Sequence, residues 1–205
     1  MGFEVVTKFE DKVASFFGAP YAIATDSCTH GVELCLRYEQ PYEVTFPTHT
    51  YPSIPFLGSK LGLRWKWKEE EWVDYYQIGD TNVYDAAVLW KMGGYMPGTH
   101  MCLSFQFQKH LKIGRGGMIL TDDKAAYELM SEMVYDGRNS RDIPWRDQNI
   151  KTVGYHYYMT PEAAQIGLDK FEQAVLDTPK IWTDLDYPDL RTCLLYTSPS
   201  PRDRG

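Results

Sequence analysis

Near the start of the chain, apolar residues recur with the spacing of one helix face: Val5, Val6, Phe9, Val13, Phe16 and Phe17, with Gly18 as the stop. This pattern predicts an amphipathic helix over residues 3–17. The short apolar run YAIAT follows as a buried strand, DSCTHG leads into the helical stretch GVELCLRYE, and EVTFP reads as a second strand. A weak helix broken by Pro52 and Pro55 precedes LRWKW, a third strand with Trp65 and Trp67 on one face. TNVYDAAVLW holds a strand ending at Asp85, and two more strands are predicted around residues 102–107 and 117–121. Asp122 or Asp123 then caps a helix running to Tyr135, and Thr160 with Pro161 opens a last helix through Asp177. Residues 138–151, rich in Arg, Asp, Asn and Pro, read as a long loop of the kind that often covers a site. Strands alternating with helices predict the α/β class: a three-layer α/β/α sandwich whose mostly parallel sheet is covered on both faces.

Composition narrows the function classes. The 205 residues are 43% hydrophobic and 15% aromatic, enough to bury a core. A net charge of -7 supplies no basic field for a phosphate backbone, and no run approaches the roughly 20 apolar residues that span a bilayer, so neither nucleic acid nor membrane is expected as a partner. Cys28, Cys35, Cys102 and Cys193 form no CxxC that could hold zinc, and no signal-peptide pattern precedes Phe3, so a reducing cytoplasm is the expected location. The ending CLLYTSPSPRDRG has neither helical nor strand periodicity and looks like a translated sequencing adapter. Residues 193–205 are therefore expected to be a foreign tail, with the natural chain interrupted near Thr192.

In α/β sheets ligands sit beyond the carboxyl ends of the strands, and there the chain carries its chemistry. After the first strand, Ser27, Cys28, Thr29 and His30 offer hydroxyls and free backbone N–H groups at a helix start, which suit a phosphate or simply cap the helix. After the second, Tyr51 can stack on a flat ring or pack. Asp85 ends an apolar strand, where a carboxylate needs a partner, a cap or a function. Lys109 follows the apolar, aromatic LSFQFQ and precedes the turn Gly114-Arg115-Gly116-Gly117; a partly desolvated lysine there can be a Schiff-base nucleophile or a snorkelling strand-end residue. Ser104 is a second candidate phosphate hydroxyl or an ordinary strand serine. One cofactor needs the whole set: pyridoxal 5′-phosphate (PLP) condenses with a lysine, keeps its pyridine nitrogen protonated against a carboxylate, sandwiches its ring and anchors its phosphate at a helix N-terminus.

In their order, these motifs resemble the DegT/DnrJ/EryC1/StrS family, PLP-dependent aminotransferases of fold type I that act on nucleotide-linked keto sugars. The family's S-G-T-A is filled by Ser27-Cys28-Thr29-His30, P-x-x-T-aromatic by Pro47-Thr48-His49-Thr50-Tyr51, and E-D-A-A by Tyr84-Asp85-Ala86-Ala87. S-F-x-x-x-K with G-x-G-G is Ser104-Phe105 through Lys109 and Gly114-Arg115-Gly116-Gly117, and G-Y-N-Y-R-M is Gly154-Tyr155-His156-Tyr157-Tyr158-Met159. The resemblance implies that Lys109 forms the imine and moves the proton, Asp85 partners the pyridine nitrogen, and Tyr51 stacks. Thr29, the His30 backbone and Ser104 would cradle the phosphate, with Ser27 and Cys28 of the same motif also cofactor-binding, while His156 would reach the phosphate of a neighbouring subunit, so that a homodimer shares its active sites.

Val88, His110, Arg115 and Tyr158 depart from the family pattern, and the stretch between Trp67 and Val83 is shorter than the family's. The resemblance thus implies an aminotransferase carrying an amino group from an amino acid, glutamate by expectation, to a nucleotide-linked keto sugar in surface-polysaccharide or amino-sugar biosynthesis. The alternative is a catalytically impaired or regulatory PLP-binding protein of the same fold. Residues 1–178 are expected to form the large domain, incomplete or compact, and residues 179–192 to begin a missing C-terminal part.

Overall fold

Helix α1 (Glu4–Phe17) turns Val5, Val6, Phe9, Val13 and Phe17 inward and ends at Gly18, whose φ of 77° is the left-handed conformation that glycine adopts without strain. This is a computed structural model, and it describes residues 2–192. The expected foreign tail and Cys193 lie outside the described residues.

Strand β1 (Tyr21–Thr25) leads into α2 (Cys28–Glu39), whose first turn begins three residues before the predicted stretch because the Ser27 side chain accepts from the His30 N–H. After β2 (Glu43–Pro47), helix α3 (Ser53–Leu61) is not broken by its prolines: Pro52 is the N-cap and Pro55 sits in the first turn, where a missing N–H costs nothing. Strand β3 (Arg64–Lys68) pairs in parallel with β2 as a separate two-stranded sheet. β4 (Tyr76–Gln77), absent from the sequence reading, makes a hairpin with β5 (Val83–Asp85). β6 (His100–Ser104) and β7 (Gly117–Thr121) follow, then α4 (Lys124–Val134) capped by Asp123 and α5 (Pro161–Leu176) capped by Thr160.

The main sheet runs β1-β7-β6-β5-β4. Its α/β class and layering are as expected, but the sheet is mixed, not mostly parallel. Only β5 and β6 pair in parallel, whereas β1–β7, β6–β7 and β4–β5 are antiparallel. No helix lies between β4 and β5 or between β6 and β7, and without a crossover the chain can only return antiparallel. The two-stranded sheet meets the main one where the Gly79 N–H, in the turn between β4 and β5, donates to the Thr45 carbonyl at 3.0 Å.

Alternating residues of the central strands divide two cores. Ala22, Ala24, Met101, Leu103, Met118 and Leu120 face α1 and α5, while Ile23, Cys102 and Ile119 face α2, α3 and α4. The strand expected over residues 102–107 ends at Ser104, so Lys109 lies beyond the strand in a turn. That turn keeps part of the ladder: Phe105 N–H donates to the Gly116 carbonyl at 2.9 Å and Phe107 N–H to the Gly114 carbonyl at 3.2 Å. The loop over residues 138–151 lies away from the cavity described below, tied to α1 by a double ion pair from Arg141 to Glu10 at 3.0 and 3.1 Å.

Candidate active site

The carboxyl ends of β1, β5 and β6 open onto one cavity of about 340 Å³. Its wall includes Ser27, Cys28, Thr29, Tyr51, Asp85, Ser104 and Lys109. Seven of the residues singled out in the sequence therefore converge on one space. Backbone packing places the start of α2 there: a Cβ on Gly117 would lie 2.4 Å from Cys28 N and from the Ser27 carbonyl carbon, so only glycine lets β7 pass beneath the helix start.

Asp85 is buried at the deep end. Its Oδ2 accepts from the Tyr76 hydroxyl at 2.6 Å, its Oδ1 accepts from the Ala87 N–H at 3.0 Å, and the Cys28 thiol lies 3.7 Å from Oδ1. Burial pushes the carboxyl above its ordinary range, opposed by the Tyr76 and Ala87 hydrogen bonds and by the charge of Lys109. Lys109 shows the opposite shift. Loss of water pulls its ammonium below the ordinary lysine value, while Asp85 and, less, Cys28 push it back up. The Lys109 Nζ donates to the Tyr187 hydroxyl at 3.5 Å and stands 5.4 Å from the centroid of the Trp182 ring. The Cys28 thiol is pushed well up by burial and stays protonated.

At the other end, the Thr29 hydroxyl lies 2.6 Å from that of Ser53. Arg115 reaches the rim and pairs with Asp26 at 2.7 Å. Burial alone would raise the Asp26 carboxyl, but His30 and Arg115 hold it below its usual range.

Two candidates stand elsewhere. The His30 ring bonds Asp26 at 2.5 Å and stacks on Tyr157 at 3.6 Å, and its backbone N–H is taken by Ser27 Oγ at 3.3 Å. His156 lies outside the cavity with 73% of its side chain exposed, held by Asp136 at 3.2 Å and Tyr158 at 3.2 Å. Conversely, Trp72, Tyr76, Trp182 and Tyr187 line the cavity and were not anticipated. Their one sequence signal is the presence of large aromatic side chains in the acidic stretches EEEWVDYY and IWTDLDYPD, where a plain exposed loop has little use for them.

The model of the DegT/DnrJ/EryC1/StrS aminotransferase family matches residues 2–58 and 87–177. The chain belongs to this family. GDP-perosamine synthase from Escherichia coli O157:H7 is 37% identical over 71 residues, which are 35% of this chain and 18% of that protein. Among solved structures, AtS13 from Actinomadura melliaura superposes with a TM-score of 0.75 at 20% identity, over 85% of this chain and 61% of that one. The PLP form of Spr1654 from Streptococcus pneumoniae does so with a TM-score of 0.69 at 16% identity, over 84% and 60%. The chain thus spans about three fifths of these structural relatives, with which it shares the fold. The family match skips residues 59–86, the stretch that holds β3, β4 and β5 and with them Tyr76 and Asp85.

Proposed function

We propose that this family member holds PLP in the cavity and transfers an amino group from an amino-acid donor to a keto sugar carried on a nucleotide. The observation that carries the reading is the shared cavity of Asp85 and Lys109, two desolvated groups of opposite charge with Ser27, Thr29 and Ser104 on its wall. The residues fit the group. An amine whose proton is loosened by burial is ready to attack a carbonyl carbon, and a carboxylate held by Tyr76 and Ala87 can retain a proton on a ring nitrogen. When bound, PLP supplies an electron sink for bonds at the substrate's amine-bearing carbon.

In this reading Lys109 would hold the cofactor and move a proton at its Nζ, Asp85 would partner the pyridine nitrogen, and Tyr51, 57% exposed at the rim, would stack on the ring. Ser27, Thr29, Ser104 and the α2 start bind the phosphate; Cys28 packs behind Asp85, and His30 braces the helix start through Asp26. His156, exposed and outside its own cavity, serves the phosphate of a second copy in a homodimer. Residues 1–178 act as the large domain, and the enzyme works in the cytoplasm in surface-polysaccharide or amino-sugar biosynthesis; a nucleotide-linked sugar substrate agrees with the names of GDP-perosamine synthase and of Helicobacter pylori PseC, an aminotransferase involved in the biosynthesis of pseudoaminic acid.

The crowding of Lys109 by Trp182 and Tyr187 favours a second reading, a PLP-binding protein without turnover. Absorbance separates the two. Protein mixed with PLP develops a visible band that Lys109→Ala abolishes, and glutamate then converts that band. A band that no amino acid converts selects the binding reading, and no band at all overturns both.

A further inference from the structure

Tyr76 belongs to none of the motifs and lies in the stretch that the family model skips. It is nonetheless placed with care. The β4–β5 register sets Tyr76 opposite Asp85, which brings both side chains to one face of the hairpin. Both residues are buried, and the Tyr76 hydroxyl is bonded to Asp85 Oδ2 at 2.6 Å and to the Thr50 hydroxyl. An ionised carboxylate only accepts, so the phenol proton points at Asp85 and the Thr50 hydroxyl donates to the phenol oxygen. The result is a directed chain from Thr50 through Tyr76 to Asp85. A carboxylate offers about four lone-pair sites. Tyr76 and the Ala87 N–H take two of these, and the Cys28 thiol, 3.3 Å from the Cys102 carbonyl and 3.7 Å from Asp85, adds at most a weak third, which leaves room for a further donor.

We propose that Tyr76 is a positioning residue that holds Asp85 in the orientation and charge state needed to keep a proton on the pyridine nitrogen of the cofactor. This rests on the PLP reading above. The Tyr76 hydroxyl, the Ala87 N–H and Lys109 favour the Asp85 anion, the Cys28 thiol donates weakly, and the Cys102 thiol and the Tyr187 hydroxyl also interact with it. Burial opposes them all, and among the favourable contributions Tyr76 is the largest. The Tyr76 ring packs on Trp72 at 5.2 Å, so Tyr76→Phe keeps the packing and removes only the hydroxyl.

Two measurements on the full chain test this. In the cofactor-free protein, 13C labelling of the aspartate side-chain carboxyl carbon, with Asp85 assigned through Asp85→Asn, gives the titration midpoint of Asp85. Tyr76→Phe is expected to raise it by about one pH unit, the scale of one hydrogen bond to a charged group. With ring-15N PLP bound, the more basic Asp85 of the variant is expected to draw the shared proton off the ring nitrogen, moving the 15N signal toward that of the neutral ring at a pH where the parent's ring is protonated, and PLP is expected to bind about tenfold more weakly. Thr50→Val should shift both in the same direction by less, and it supplies the test should Tyr76→Phe not fold. An unchanged Asp85 midpoint, or a ring nitrogen that titrates as in the parent, overturns the proposal. If the parent binds no PLP, the function falls with it, whereas the cofactor-free titration still reports whether Tyr76 holds Asp85.

Discussion

Lys109 has given up much of its water without gaining a carboxylate in contact, and its chemistry follows from that imbalance. Its ammonium is held below the ordinary lysine value by burial, while Asp85 acts from within the same cavity to raise it. The neutral amine is therefore populated at a pH where surface lysines are still charged. Acylation followed residue by residue with mass spectrometry should show Lys109 reacting ahead of the exposed Lys66 at neutral pH. Asp85→Asn removes the influence that opposes burial, so it should move the Lys109 profile lower still. A Lys109 profile matching that of Lys66 would show that the amine is not desolvated. Lys109 and Asp85 were legible in the sequence because their residue types stand out where apolar strands end. Tyr76 was not, since its role depends on lying opposite Asp85, and hairpin register across the five residues 78–82 leaves no mark on composition.

Among the elements, the junction of α2 and β7 positions the proposed phosphate end. A methyl group on Gly117 would meet Cys28 N and the Ser27 carbonyl carbon, backbone atoms of a capped helix that cannot rotate aside. Gly117→Ala should therefore cost about 1–3 kcal/mol in urea unfolding. It should also weaken PLP binding more than Thr160→Ala, which removes the cap on Ala163 N–H far from the cavity at about 1 kcal/mol. Equal binding by the two variants would separate the α2 start from the phosphate. The helices were well legible for a related reason: caps such as Ser27, Asp123 and Thr160 and the stop at Gly18 act locally. Strand direction was not, because it depends on whether a helix intervenes; Gly79, Asp80 and Asn82 do mark a turn before Val83, but β4 is only two residues long and carries no alternation to mark it as a strand.

For the whole molecule, the decisive feature is how the end of the described chain returns to the cavity. The Trp182 N–H donates to Asp74 Oδ1 at 3.0 Å, the Asp74 N–H to the Trp182 carbonyl at 2.8 Å, and the Leu190 N–H to the Thr48 carbonyl at 2.9 Å. These bonds lay residues 182–190 across the loops that follow β2 and precede β4, with Leu190 buried and Trp182 and Tyr187 against Lys109. The low lysine value is thus built partly from a segment distant in sequence, beyond the large domain proposed for residues 1–178. Ending the chain at residue 178 would return water to the Lys109 amine, and its acylation profile should rise toward that of an ordinary lysine. Trp72, which packs on Tyr187 at 5.5 Å, would lose its cover and its emission should shift to the red. In the full chain, Leu190→Ala should cost about 2–5 kcal/mol if the segment folds cooperatively with the body, because a cavity opens where the leucine was. A red-shifted emission with an unchanged Lys109 profile would mean that β5, β6 and α2 alone strip the amine of water, which would leave the returning segment as a cover over the cavity and not a part of its chemistry.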